Sequence, residues 1–217
     1  MPTFVYSSLL VLILATPAMA ADADCEKAAR DHTDFKAVLD NDPSGKPQYE
    51  TVRHEADHLV EVTHYTGGEK RMVRTSLYGL FLKEYQAILG DKTVRTGVSR
   101  SVDPETLMPL KPNTSLQFKN TTATDAKLGA EVADVKVDVG GEREIAIGGC
   151  RLQAIDLTIV SRPLGRDLMI TTKLAYVPDL AYPVEFNTEL VMNGKTTTGT
   201  MKVQSIEPWD GKVPASP

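Results

Sequence analysis

The chain has 217 residues, 41% of them apolar and 24% charged, which suits one domain with a substantial core. Its net charge is −5 and no basic run could track a phosphate backbone, so nucleic acid is excluded as a partner class. After the N-terminus no apolar stretch approaches the roughly 20 residues that a membrane-spanning helix needs, so no transmembrane segment is expected in the mature chain.

Residues 1–20 contain no Asp, Glu, Lys or Arg. An apolar run over 9–15 leads to Pro17 and then Ala18-Met19-Ala20. Small residues at the −3 and −1 positions are what a signal peptidase admits, so this stretch reads as a signal peptide cleaved after Ala20. The predicted organisation is a signal peptide (1–20), a single β-rich domain (21–207) and a flexible C-terminal tail (208–217). The predicted location is the periplasm. Cys25 follows Asp22-Ala23-Asp24 and not the small and aliphatic residues of a lipobox. An even count of two cysteines in an oxidising compartment predicts a Cys25–Cys150 disulfide, tying the N-terminus to the sheet.

In chain order, residues 27–39 carry a helical pattern, with Ala28, Phe35, Val38 and Leu39 near one face and Pro43-Ser44-Gly45 as the stop. From there the period becomes two. Residues 59–66 and 70–78 flank Gly67-Gly68, and residues 80–89 and 93–98 flank Gly90-Asp91; each pair predicts a hairpin. Residues 102–114 hold Pro104, Pro109 and Pro112 and read as a loop or crossover. Ala133, Val135, Val137 and Val139 alternate with charged residues up to Gly140-Gly141, which is expected to turn the chain. Further alternating strands follow around Ile155–Ile159 and Leu168–Leu174. Val184, Phe186, Thr188, Leu190 and Met192 then alternate up to Asn193-Gly194. That dipeptide is a strong hairpin signal, because both central residues of a type I′ turn need positive φ. The predicted fold class is all-β and mainly antiparallel: a curved meander sheet or a part-closed β-barrel or spiral, with a short N-terminal helix. Trp209 is expected to pin the start of the tail.

His54-Glu55-Ala56-Asp57-His58 is an HExxH, and His64 stands six residues further on. On a helix, His residues at i and i+4 share a face and can bind zinc, with the intervening Glu as general base. Over these eleven residues the stretch resembles the metzincin metalloproteases, with Glu61 where their pattern has Gly. That resemblance implies zinc held by His54, His58 and His64, with Glu55 catalytic. The residues themselves argue otherwise. Residues 58–66 are β-branched and alternating, and on a strand the three His spread over about 33 Å at ~3.3 Å per residue. The expected arrangement is a charged turn and outward-facing strand residues, with no cofactor; zinc is the alternative.

The last third is distinctive. It holds Gly148-Gly149-Cys150, then Tyr176-Val177-Pro178-Asp179-Leu180-Ala181-Tyr182-Pro183-Val184, then Val203-Gln204-Ser205-Ile206. Over residues 130–207 it resembles the closing strands of poorly characterised bacterial periplasmic β-domains. The resemblance implies a strongly curved sheet and no catalytic set.

A curved sheet must either fill its concavity or offer it to an apolar ligand. The sequence therefore predicts a non-enzymatic envelope protein binding a lipid, a peptide or an envelope protein. Phe81, Tyr85, Phe118, Tyr176, Phe186 and Met192 are the candidate lining residues. The alternative is a zinc-dependent metalloprotease.

Overall fold

A computed structural model describes residues 24–40, 46–125 and 129–212. The predicted signal peptide, its cleavage point, the helix stop at 43–45 and the last five residues of the tail lie outside the described residues. A short helix, α1 (Asp24–Asp31), precedes twelve strands: β1 (Phe35–Leu39), β2 (Gln48–His54), β3 (Leu59–Thr66), β4 (Glu69–Leu77), β5 (Phe81–Leu89), β6 (Lys92–Arg100), β7 (Thr114–Thr124), β8 (Ala130–Ile147), β9 (Cys150–Pro163), β10 (Leu168–Val177), β11 (Tyr182–Met192) and β12 (Lys195–Pro208). Each strand pairs antiparallel with its neighbours in sequence, and β1 pairs with both β12 and β2. The sheet therefore closes into an up-and-down barrel with no free edge.

Closure depends on a segment that the sequence misassigns. The predicted helix over 27–39 ends at Asp31, and His32 takes a left-handed conformation (φ 48°). Phe35, Ala37 and Leu39 are then buried at every second position of β1. Apolar residues at 28, 35, 38 and 39 satisfy a helical face, but the long-range pairing of β1 between β2 and β12 decides the conformation. Gly140-Gly141 is a second correction. The chain does not turn there; β8 runs through both glycines, and its register against β9 shifts between Val139 and Glu142. Such a bulge bends a strand rather than ending it. The bend carries the far end of the β8–β9 hairpin across the barrel, where Gly148 packs against Ser205 of β12. Residues 101–113 form a loop with one 3₁₀ turn (Pro104–Leu107), not a crossover.

The two ends of the barrel differ. At one end α1, the β8–β9 tip and the 3₁₀ turn Pro178–Leu180 come together. There Cys25, Ala28 and Ala29 pack with Phe35, Val52, Ile147, Leu152, Val177, Leu180, Tyr182 and Val203 in a fully buried cluster. The predicted disulfide joins Cys25 of α1 to Cys150 of β9, with Cα atoms 6.3 Å apart. Among the described residues, the opposite end carries the hairpin turns Gly67-Gly68, Gly90-Asp91 and Asn193-Gly194. The plugged end is the barrel's floor.

Gly79 ties the floor together. It sits at φ +68°, and a Cβ there would lie 1.6 Å from the Ala181 carbonyl oxygen. Gly79→Ala is expected to destabilise the fold by about 2–3 kcal/mol, through the left-handed strain and the displaced backbone. A urea unfolding midpoint unchanged from wild type would contradict this close approach.

The outer wall is polar along its long strands. Lys136 pairs with Asp138, and Arg143 bridges Asp156 and Glu185, which also takes Lys202. A barrel lying in lipid carries an apolar outer band, so this wall faces water. Among the described residues no helix is long and apolar enough to cross a membrane.

Candidate functional site

The diameter of a barrel grows with strand number, and about eight strands leave just enough room for side chains to fill the inside. Twelve strands leave space. The register assigns the inward face: Glu50 and Val52 on β2, Val62 and His64 on β3, Arg74 and Ser76 on β4, Tyr85 on β5, and Thr96, Val98 and Arg100 on β6. Opposite these stand Phe118 and Asn120 of β7, Val135 and Val137 of β8, Leu157 and Ile159 of β9, Leu174 of β10 and Phe186 of β11.

Two cavities lie within this interior. The first, about 110 Å³, is walled by Leu80, Phe81, Leu82, Leu110, Phe118, Val135, Val137, Leu157 and Ile159, with Arg100 and Asn120 as its polar members. The second, about 220 Å³, is walled by Val62, Leu80, Leu82, Ile159, Leu174, Pro183 and Phe186, with Arg74, Ser76, Thr172 and Tyr182. Leu80, Leu82 and Ile159 border both, so they are the partition between the two. Wider hollows of about 850 and 620 Å³ lie on the outer wall among charged residues such as Asp134, Lys136, Arg143 and Lys173, and are open grooves.

The second cavity's charge is neutralised. Glu50, only 2% exposed, accepts two bonds from Arg74 Nη2 at 2.8 and 2.7 Å. Tyr182 donates its hydroxyl to Glu50, and His64 Nδ1 lies 3.4 Å away. Burial opposes ionisation of Glu50, but the Arg74 charge and the bonds from His64 and Tyr182 outweigh it and hold the carboxyl below its ordinary range. Burial and the Glu50 charge push the Tyr182 phenol well up, so it remains a donor.

The first cavity's charge is not neutralised. Arg100 Nη2 donates to the Leu82 carbonyl oxygen, and the guanidinium lies 5.6 Å from the Phe81 ring centroid. Its Nε is buried without a hydrogen-bond partner, as is Oδ1 of Asn120, the residue directly across the β6–β7 ladder. Among the described residues no carboxylate lies within ion-pair distance of Arg100. Burial pulls this guanidinium below its ordinary range.

The HExxH residues are not on a helix. His54 closes β2, Glu55 and the following residues form the β2–β3 turn, and Asp57 and His58 take left-handed φ of 57° and 60°. His54, Glu55 and His58 border one cavity of about 320 Å³ at the plugged end, with His32, Tyr78, Met108 and Tyr176. His54 Nε2 is 3.1 Å from the Leu180 carbonyl oxygen, and His58 stacks on Tyr78 at 4.7 Å. His64 lies apart from them inside the barrel, against Glu50. The expectation that it faces outward is corrected: β3 places it on the same face as buried Val62. These donors do not converge, and they do not fit a zinc centre. Among the described residues no group of three or more candidate ligands could hold a metal ion.

The aromatic candidates are dispersed. Phe81 and Phe118 wall the first cavity, Phe186 the second, and Tyr176 borders the histidine cavity while donating to the Tyr78 carbonyl oxygen at 2.6 Å. Tyr85 faces inward on β5 opposite Arg74 and Thr96. Met192 is half exposed at the β11–β12 turn, where the strand pattern runs out to solvent. No local motif marks Arg100 or Asn120 in the sequence. The available signal was parity: Arg100 shares the inward face with Thr96 and Val98.

No protein-family model and no curated protein matches the chain. Among solved structures it is similar to the hypothetical lipoprotein YmcC from Escherichia coli (K12), with a TM-score of 0.49 and 9% sequence identity, over 82% of this chain and 88% of that one.

Proposed function

We propose that the protein is a non-enzymatic binding protein of the bacterial envelope that holds an apolar ligand inside its barrel. The observation that carries this reading is the pair of apolar interior cavities, each with a few convergent polar groups, inside a closed barrel whose outer wall is charged. Pre-formed apolar hollows with sparse polar groups are the usual form of a small-molecule site. The Cys25–Cys150 bond and the predicted signal peptide support an exported, periplasmic location.

Titration with an uncharged, environment-sensitive dye such as 1-aminoanthracene tests the reading. Saturable binding of one dye per barrel is expected, with a blue-shifted emission. Ile159→Trp, which enlarges the partition into the cavities on either side, is expected to weaken dye binding about tenfold or more while leaving the far-ultraviolet spectrum unchanged. Absence of saturable binding would overturn the reading. So would stoichiometric zinc in the purified protein that is lost on His58→Ala, because that result would return the HExxH to a metal role.

A further inference from the structure

We propose that Arg100 and Asn120 form the headgroup site for a single-chain aliphatic carboxylate whose alkyl chain occupies the two apolar cavities. The inference rests on the binding reading above and adds the ligand's charge and shape.

Among the described residues two arginines face into the barrel, and their surroundings differ. Arg74 is matched by Glu50, which also takes Tyr182. Among the described residues Arg100 has one carbonyl oxygen and one ring face, and its buried Nε–H has no acceptor. An uncompensated cation beside apolar walls is costly to a fold, and an arriving anion removes that cost. Asn120 supplies the second group. Its Oδ1 also lacks a partner, and a half-turn of the amide presents two N–H donors to an anion held by Arg100. A guanidinium Nε–H with an adjacent amide suits one planar, singly charged carboxylate. Phe81, Leu110, Leu82, Ile159 and Phe186 offer carbon to the rest of the ligand, and the charge of Arg74 in the second cavity is already taken by Glu50. The ligand is therefore an acid at one end and an alkyl chain beyond it, with the chain crossing the partition by rotamer changes at Leu80 and Leu82.

Displacement of the uncharged dye by matched pairs of acid and alcohol tests this. Octanoic, dodecanoic and hexadecanoic acids are compared with the alcohols of equal length at pH 7. Wild type is expected to bind the acid about tenfold or more tightly than the alcohol, the usual advantage of a hydrogen bond to a charged group. Within Arg100→Gln the ratio of acid to alcohol affinity is expected to fall to about one, whatever the change in absolute affinity; Arg100→Lys is expected to retain part of the preference. Equal affinity of wild type for acid and alcohol would overturn the proposal while leaving the binding reading intact. A preference for acid that survives in Arg100→Gln would overturn it too. Failure of the dye itself to bind would remove both. The wild-type comparison decides the matter even where a variant fails to fold.

Discussion

Replacing Cys25 and Cys150 together by alanine is expected to lower the unfolding free energy by about 4–5 kcal/mol, a third or more of the margin of a typical domain. The bond closes a loop of 125 residues, and in the chain-entropy model a loop of that length contributes about 5 kcal/mol by restricting the unfolded chain. The native state also depends on it. The helix α1 has 8 residues, too few to be stable alone, and the residues it buries against the floor are Cys25, Ala28 and Ala29. Without the bond the helix is expected to undock first, uncovering Phe35, Ile147 and Leu180 at the plugged end. Urea denaturation gives the global loss, and hydrogen exchange gives its order: amides of α1 and β1 lose protection before those of β8 and β9. A global change under about 1 kcal/mol would show that the core alone sets the barrel's stability.

Glu50→Ala is expected to cost about 3–5 kcal/mol, because it leaves Arg74 uncompensated inside the barrel. The pair as a unit contributes far less than this, since two charges had to be desolvated to form it. Glu50→Leu combined with Arg74→Met is therefore expected to recover more than half of the single-variant loss. The pair also sets a pH dependence. The folded-state pKa of Glu50 lies below its unfolded value, so the folded protein binds fewer protons here than the unfolded chain. The resulting stability is fully present above the unfolded carboxylate value of about 4.3 and is lost as pH falls through the lower folded value. Wild type is expected to lose stability steeply on the acid side, with a shallower slope in Glu50→Gln. Parallel pH profiles for the two proteins would show that Glu50 does not carry the dependence.

Much of the barrel is legible in the sequence because its turns are marked. Gly67-Gly68, Gly90-Asp91 and Asn193-Gly194 each sit between alternating segments, and each forms the predicted hairpin. Local chemistry does not reveal closure. Phe35, Ala37 and Leu39 become a strand only because β12 arrives beside them from the far end of the chain. The same limit applies to Gly140-Gly141, where two glycines suit a turn as well as a bulge, and only the continued pairing with β9 separates the two. The HExxH shows the opposite case. The β-branched run after His58 indicates a strand, and the strand forms; the inward direction of His64 depends on the buried Glu50 of the neighbouring strand, which no local pattern marks. Arg100 was hidden for a similar reason. An arginine among alternating residues looks like a solvated position until the register places it with Thr96 and Val98 on the inside.

The binding of an apolar acid inside the barrel is tested most directly by native mass spectrometry. Delipidated protein is mixed with equal amounts of dodecanoic acid, its methyl ester and dodecanol. One adduct per chain is predicted, dominated by the acid in wild type and evenly shared in Arg100→Gln. A spectrum showing only the bare protein mass with all three compounds would contradict the account.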